Sequence, residues 1–338
     1  MTVNSKLSVI VLAAGKGTRM KSDKAKVLHE VYSAPMLHHV LNAIAPLEPG
    51  RTITIVGHQR EAVIDSIAKY DFVPVTQEEQ LGTGHAVLVA EHAVPDDSDT
   101  VMILCGDTPL IRPATLREMF EKHTENDATL TVMTTLLNDP TNYGRILSDS
   151  DNRLQGIVEQ KDATSEQLAI TEINAGIYCV NRTFLFNALK EVGTDNSQGE
   201  VYLTDIVSMA VSSGLVVEKY VTPYAQDVLG VNSRIELAQA HAELHMRKNR
   251  EIMLQGVTIQ SPESVCISSQ SSIGKDSLLM NGVHLEGTCT VGAQCVLRPG
   301  VILTDCTIGN NVEIGPYSVL RDCTVTDGTV LKPHSTSH

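Results

Sequence analysis

Short aliphatic-rich runs occupy residues 8–12, 52–56, 100–104 and 129–134. Runs of this length, bounded by polar and Gly-containing stretches, predict buried β-strands. Between them, residues 36–44, 62–70 and 113–122 carry apolar positions at helical spacing. Strands alternating with helices predict an α/β domain with a Rossmann-like, mostly parallel sheet over residues 1–233. Residues 234–255 then read as one linker helix. Ser233 is a candidate N-cap, Ile235, Leu237, Ala242 and Ile252 recur at helical intervals, and Gly256 is a natural stop.

Beyond Gly256 the helical pattern gives way to an aliphatic residue every six positions: Ile273, Leu279, Leu285, Val291, Leu297 and Leu303. The series continues one residue out of phase at Ile302, Ile308, Ile314 and Leu320, then in a third phase at Val319, Val325 and Leu331. A hexapeptide period predicts a parallel β-helix over residues 256–338, of about four coils with one aliphatic residue per face. An irregular β-sandwich is the alternative, but it spaces its strands at about 8–12 residues. A β-helix this short gains stability by association, so a homotrimer is expected.

Composition narrows the function classes. The 338 residues carry a formal net charge of −14, which disfavours a nucleic-acid partner. No stretch reaches the roughly 20 apolar residues of a membrane span. The seven Cys form no CxxC pair, which suggests reduced thiols and a cytoplasmic location. Cys289, Cys295, Cys306 and Cys323 read as small apolar fillers of the repeat region.

Candidate chemistry begins directly after the first strand. In Leu12-Ala13-Ala14-Gly15-Lys16-Gly17-Thr18-Arg19-Met20, the two Gly let backbone approach an anion. Loop N–H groups and a following helix start can cradle phosphates, and Lys16, Arg19 and Lys26 add positive charge. A dinucleotide fingerprint needs a third Gly where Met20 stands, and the G-x-x-x-x-G-K-[ST] loop is absent.

This loop, followed by Lys26, resembles the signature loop of the sugar-nucleotide pyrophosphorylases. Further segments resemble that family in order. They are Gln77 with Gln80-Leu81-Gly82-Thr83-Gly84-His85-Ala86, then Gly106-Asp107-Thr108-Pro109-Leu110, then Asn142-Tyr143-Gly144-Arg145-Ile146. Next come Ile157-Val158-Glu159 with Lys161-Asp162-Ala163, then Glu172-Ile173-Asn174-Ala175-Gly176. Gly199-Glu200 with Tyr202-Leu203-Thr204-Asp205 and Gly230-Val231-Asn232 complete the set. The resemblance covers essentially the whole chain and is strongest to the uridylyltransferase domain of bifunctional bacterial enzymes that make UDP-N-acetylglucosamine, whose architecture also includes a left-handed β-helix.

The resemblance implies a Mg²⁺-dependent nucleotidyltransferase that joins UTP to N-acetylglucosamine 1-phosphate, giving UDP-N-acetylglucosamine and pyrophosphate. It implies Asp107 and Asn232 as metal ligands, and Arg19, Lys26 and Asp107 as catalytic residues. Nucleotide contacts fall to Leu12, Ala13, Ala14, Gly15, Gln77, Gly82 and Thr83, with Cys105 and Gly106 before the catalytic Asp. Sugar contacts fall to Gly144, Glu159 and Asn174, with Tyr202 and Thr204 nearby. On the residues alone, Asn232 could equally initiate the helix and Thr83 could be an ordinary N-cap. Ala25 stands where many relatives have Pro, and Cys105 where Tyr or Asn is common. Another base or sugar, such as dTTP with glucose 1-phosphate, and a catalytically silent sugar-nucleotide scaffold are the competing readings. The long β-helix of the bifunctional enzymes carries acetyl transfer. Nothing before residue 338 resembles that second site, so no acetyltransferase activity is expected. His334 and His338 are expected to lie in a frayed polar tail.

Overall fold

The structure is a computed structural model describing residues 4–337, so His338 lies outside the described residues. It separates into two compact units: one comprises residues up to Glu30 with Ala34–Glu236, the other Val31–Ser33 with Leu237 onward.

The first unit is built on nine strands: β1 Asn4–Leu12, β2 Pro49–Val56, β3 Val73–Thr76, β4 Thr100–Cys105, β5 Leu130–Leu136, β6 Arg145–Ser148, β7 Leu154–Val158, β8 Glu172–Asn181 and β9 Val217–Val221. The sheet order is β9-β5-β8-β4-β1-β2-β3, with the β6–β7 hairpin attached to β8. Pairings of β1 with β2 and β4, β2 with β3, and β5 with β9 are parallel. Only β8, antiparallel to both β4 and β5, and the hairpin depart from the parallel expectation.

Along β1, Leu7, Val9 and Val11 enter one core and Ile10 the other. Helices α1 (Met36–Ile44), α2 (Arg60–Ile67) and α4 (Pro113–Glu125) supply residues to the first core. The second core takes residues from α3 (Thr83–Leu88), α5 (Arg182–Glu191) and α6 (Asp205–Ser212). Burial on both faces is why the strands read as continuous aliphatic runs rather than alternating ones. The chain leaves β1 towards β2 on one side and pairs with β4 on the other. Ligands of open α/β sheets bind at such a switch point, outside the carboxyl ends of the strands.

Helix α7 covers Arg234–Leu254. Its buried residues are Ala240, His245, Asn249 and Ile252 rather than the full apolar series, and Ile235 is exposed. Asn249 is fully buried because its amide donates to Pro262 O (2.7 Å) and Val265 O (2.8 Å). Tyr32, in the same unit, donates its phenol to Ile267 O.

The repeat region forms three stacked parallel sheets of five, four and four strands, the arrangement of a left-handed β-helix. The shifted phases have a simple origin. Early coils repeat every 18 residues (Leu278↔Val296), later ones every 17 (Thr290↔Thr307). The missing residue is at the corners of Asp305 and Asp322, which turn in the left-handed region (φ 52° and 46°). Leu303 and Leu320 therefore point inward, while Ile302 and Val319 lie half-buried beside them. A second buried series stands two positions before each inward aliphatic: Val283, Cys289, Cys295, Val301, Cys306 and Val312. Cys289, Cys295 and Cys306 are thus core fillers, with Cys323 packed beside them.

The tail is ordered rather than frayed. His334 stacks on Tyr317 (ring centroids 5.8 Å apart), and Val319 N donates to Ser335 O (2.9 Å). These backbone bonds begin another coil.

Candidate active site

The phosphate loop leaves β1 along the edge of β2: Ala13 N donates to Ile55 O and His58 N to Ala14 O. Only one 3₁₀ turn follows, Thr18–Met20, where the loop motif had predicted a helix start. A single such turn aligns too few amides for a useful macrodipole, so anion neutralisation falls to side-chain cations. Gly17 is in the left-handed region (φ 61°, ψ 48°), and a Cβ there would lie 2.6 Å from Lys26 Cβ. Gly17 therefore permits both the turn and the passage of the Lys26 stem. A Cβ on Gly15 would meet no protein atom within 4 Å, so the space beside it is open to a ligand.

Lys26 emerges at the carboxyl end of the sheet beside Asp107. Its ammonium donates to Asp107 Oδ2 and to Asn232 Oδ1 (2.6 Å), and Arg19 Nη2 donates to the same Asn232 oxygen (2.9 Å). Asp107 is placed by β4 through Gly106, whose N donates to Leu12 O (2.9 Å). Val231 N donates in turn to Asp107 O (2.8 Å), which brings the 230–232 segment onto the site. Of the two readings left open for Asn232, the helix start is visible. Its backbone N donates to Glu236 Oε2 while Ser233 Oγ accepts from Glu236 N, so it helps start α7. Its side chain meanwhile faces Lys26. Two hard oxygens thus converge on one positive centre, a donor pair suited to a divalent cation that completes its shell with water and phosphate.

Gln77, Gly82 and Thr83 form the opposite wall. Gln77 is buried and donates to Gly82 O (3.2 Å). Gly82, at φ 108° and ψ 176°, is the residue capping α3, and a Cβ on it would lie 2.5 Å from Val201 O. Thr83 is therefore not the N-cap; its hydroxyl accepts from Leu203 N (3.2 Å).

A cleft of about 520 Å³ is lined by Leu12, Ala13, Ala14, Gly15, Arg19, Lys26, Gln77, Gly82, Thr83, Cys105, Asp107 and Asn232. It also includes Lys16, already read as a loop cation, and Gln80 and Glu200, which had no assigned role. Gln80 donates to Ala14 O (2.8 Å) and so closes the loop onto the far wall. Its place in the Gln80–Ala86 motif was the available signal.

Gly144, Glu159 and Asn174 do not line this cleft but form an adjoining cluster. Asn174 N donates to Gly144 O (2.9 Å), and a Cβ on Gly144 would lie 3.6 Å from Glu159 Oε2. Thr204 donates to Glu159 Oε1 (3.3 Å). The Asn174 amide donates to Tyr178 OH (2.7 Å) and accepts from Gly176 N (2.9 Å), leaving one proton and one lone pair for a ligand. Cys105 joins the two clusters, its Sγ 3.7 Å from Gly176 O. Burial pushes this thiol up to about 12, so it stays protonated at neutral pH and is no nucleophile. Tyr143 was also missed: burial raises its phenol to about 12, and it is hydrogen-bonded at the backbone of Gly230, linking the Gly144 loop to the Asn232 segment.

The MobA-like NTP transferase domain family matches residues 9–167. The bifunctional protein GlmU of Desulfotalea psychrophila is 55% identical over 305 residues, covering 90% of both chains. The chain belongs to the GlmU family. The Geobacter metallireducens GlmU is 46% identical over 298 residues, 88% of this chain and 63% of that one. The Shouchella clausii GlmU is 44% identical over 292 residues, with 86% and 64% covered. The chain thus spans just under two thirds of these last two relatives. A putative glucose-1-phosphate thymidylyltransferase from Bacillus anthracis shares the fold at 20% identity and TM-score 0.57, over 70% of this chain and 94% of that one. The chain is a nucleotidyltransferase of the GlmU type, with nucleotide and sugar-phosphate substrates. The word bifunctional in its relatives' name gives no support to the expectation of a single activity.

Burial raises the Glu159 carboxyl above the usual range, with Asp162, Asp205 and Glu200 adding to the rise against the lowering Thr204 hydrogen bond. This carboxylate should then lose its charge earlier on acidification than an exposed Glu. The KM for the sugar phosphate is expected to climb as pH falls through the raised pKa, and Glu159→Gln should flatten that limb in pH-dependent kinetics. The folded state binds this proton more tightly than the unfolded chain, so the ionised group costs stability above the folded pKa. Glu159→Gln should therefore hold or raise Tm at neutral pH, an advantage that disappears in acid.

Proposed function

We propose that the chain is a UTP:N-acetylglucosamine-1-phosphate uridylyltransferase. The observation carrying this reading is the convergence of Lys26, Asp107 and Asn232 beside the phosphate loop, next to the Gly144–Glu159–Asn174 cluster. A sugar 1-phosphate is already an anion, so its oxygen can attack the α-phosphorus of UTP with no general base, and pyrophosphate leaves. What the reaction needs is alignment and charge neutralisation.

Lys26 is the cation positioned to meet oxygens of the α-phosphate, and Arg19 those of the leaving pyrophosphate. The loop at residues 12–15 and Gln77 present backbone and amide groups to uracil and ribose, and the Gln77 amide suits a pyrimidine edge that both donates and accepts. Glu159 accepts sugar hydroxyls, Asn174 offers its remaining donor and acceptor to the N-acetyl group, and Gly144 leaves room for the ring. Mg²⁺, held by Asp107 and Asn232, would neutralise the triphosphate and hold it for in-line attack.

Purified protein incubated with Mg²⁺, each nucleoside triphosphate and a panel of sugar 1-phosphates should release pyrophosphate fastest with UTP and N-acetylglucosamine 1-phosphate. No release from that pair would sink the reading, and preference for dTTP with glucose 1-phosphate would redirect it.

The β-helix is proposed to assemble as a trimer, supported by exposed Tyr317 and Val330 on it. Sedimentation should then show a particle three times the 36.6 kDa chain mass, and deletion after Gln255 should dissociate it. A monomeric intact chain would refute the assembly. No helix among the described residues is long and apolar enough to cross a membrane, and a cytoplasmic location is proposed.

A further inference from the structure

We infer that Arg145 sets the width of the sugar-binding half of the site by clamping together the loops that carry Gly144 and Glu159. This rests on the uridylyltransferase reading and adds a positioning residue to it. Arg145 lies next to Gly144 at the start of β6, and its backbone pairs with Val158 on one side and Ile173 on the other. It is therefore adjacent to all three sugar candidates, Gly144, Glu159 and Asn174. Arg145 is 2% exposed. Its guanidinium donates to Tyr143 O on the first loop and to Gln160 Oε1 (3.3 Å) on the second. The same Gln160 oxygen accepts from Asn142 N, so the two loops are bridged twice. A weaker contact reaches Leu168 O at 3.5 Å.

Among the described residues Arg145 forms no direct ion pair with a carboxylate; its hydrogen-bond acceptors are neutral, and Asp139 acts on its charge only at longer range. Such a group is costly, and an apolar side chain of similar length often replaces it with little loss of stability. Stability alone does not explain an arginine here, whereas spanning two loops does. The planar fork reaches the two acceptors from separate nitrogens held in one plane, whereas a lysine must serve both from a single, more flexible point.

The test is steady-state pyrophosphate release with both substrates varied, on Arg145→Met, Arg145→Lys and Gln160→Ala, each checked for fold by circular dichroism. Arg145→Met should raise the KM for N-acetylglucosamine 1-phosphate about ten-fold or more and leave the KM for UTP within two-fold, since displaced binding groups lose alignment steeply. Arg145→Lys should give little rescue, and Gln160→Ala a smaller change in the same direction. Unchanged sugar KM in a folded Arg145→Met, or equal rises in both KM values, would overturn the clamp. Should Arg145→Met fail to fold, the same split in Arg145→Lys and Gln160→Ala decides the matter. A wild-type protein inactive with every sugar 1-phosphate would instead overturn the uridylyltransferase reading, and the clamp with it.

Discussion

Asp107→Ala is expected to lower turnover by about 10³-fold, or roughly 4 kcal/mol of transition-state stabilisation, with the fold intact. Asp107 is the carboxylate of the Lys26–Asp107–Asn232 group, a charged oxygen suited to a divalent cation. Losing it removes the anionic ligand and frees Lys26 to drift from the α-phosphate. The fold should survive because Asp107 holds the neighbouring segment through its backbone carbonyl, which accepts from Val231 N and is untouched by the substitution. Asp107→Asn keeps the shape and removes only charge, so near-equal damage would identify charge as what matters. Initial rates of pyrophosphate release at saturating substrates, with a thermal melt of each variant, make the comparison. Near-normal turnover in folded Asp107→Ala would remove this residue from the metal site.

Lys26→Met should cost about 10²–10³-fold in kcat, with a smaller change in KM for UTP. Methionine keeps most of the stem that packs over Gly17 and removes the charge. Without the ammonium, Asp107 and Asn232 face each other with Arg19 still hydrogen-bonded to Asn232. Divalent-metal affinity of the nucleotide-free protein should therefore rise in Lys26→Met, because lysine no longer competes for the same oxygens. Isothermal titration with Mg²⁺ or Mn²⁺ reads this directly. A weakened metal affinity, or a kcat near that of the unmodified enzyme, would show that Lys26 does not share the Asp107–Asn232 centre.

Much of the fold was legible along the chain. The aliphatic runs at β1, β2, β4 and β5 and the six-residue period are local patterns, and burial on a fixed lattice of faces writes such patterns directly into sequence. The phase shifts were visible, but their cause was not. A coil one residue shorter looks like a new aliphatic series until strand pairing shows Leu303, not Ile302, facing the axis. The tail misled for a related reason. Polar composition predicts fraying, yet residues 333–337 are held by backbone hydrogen bonds to the preceding coil, and these depend little on side chain.

The site divides along the same line. Residue types and Gly positions singled out the phosphate loop with Arg19 and Lys26 and rejected a dinucleotide loop at Met20, while the family resemblance added Gln77, Asp107, Glu159, Asn174 and Asn232 as candidates. They could not show that Lys26 bridges Asp107 and Asn232, residues 81 and 206 positions away in the chain. Nor could they show that Cys105 and Tyr143 join the two clusters or that Arg145 is buried between loops. Local backbone preference and burial act over a few residues, so the sequence by itself determined the elements and the chemistry available. Contacts between distant segments arise only when the sheet order 3-2-1-4 sets strand ends side by side. The tertiary structure alone therefore decided which charged groups meet, and at what distance.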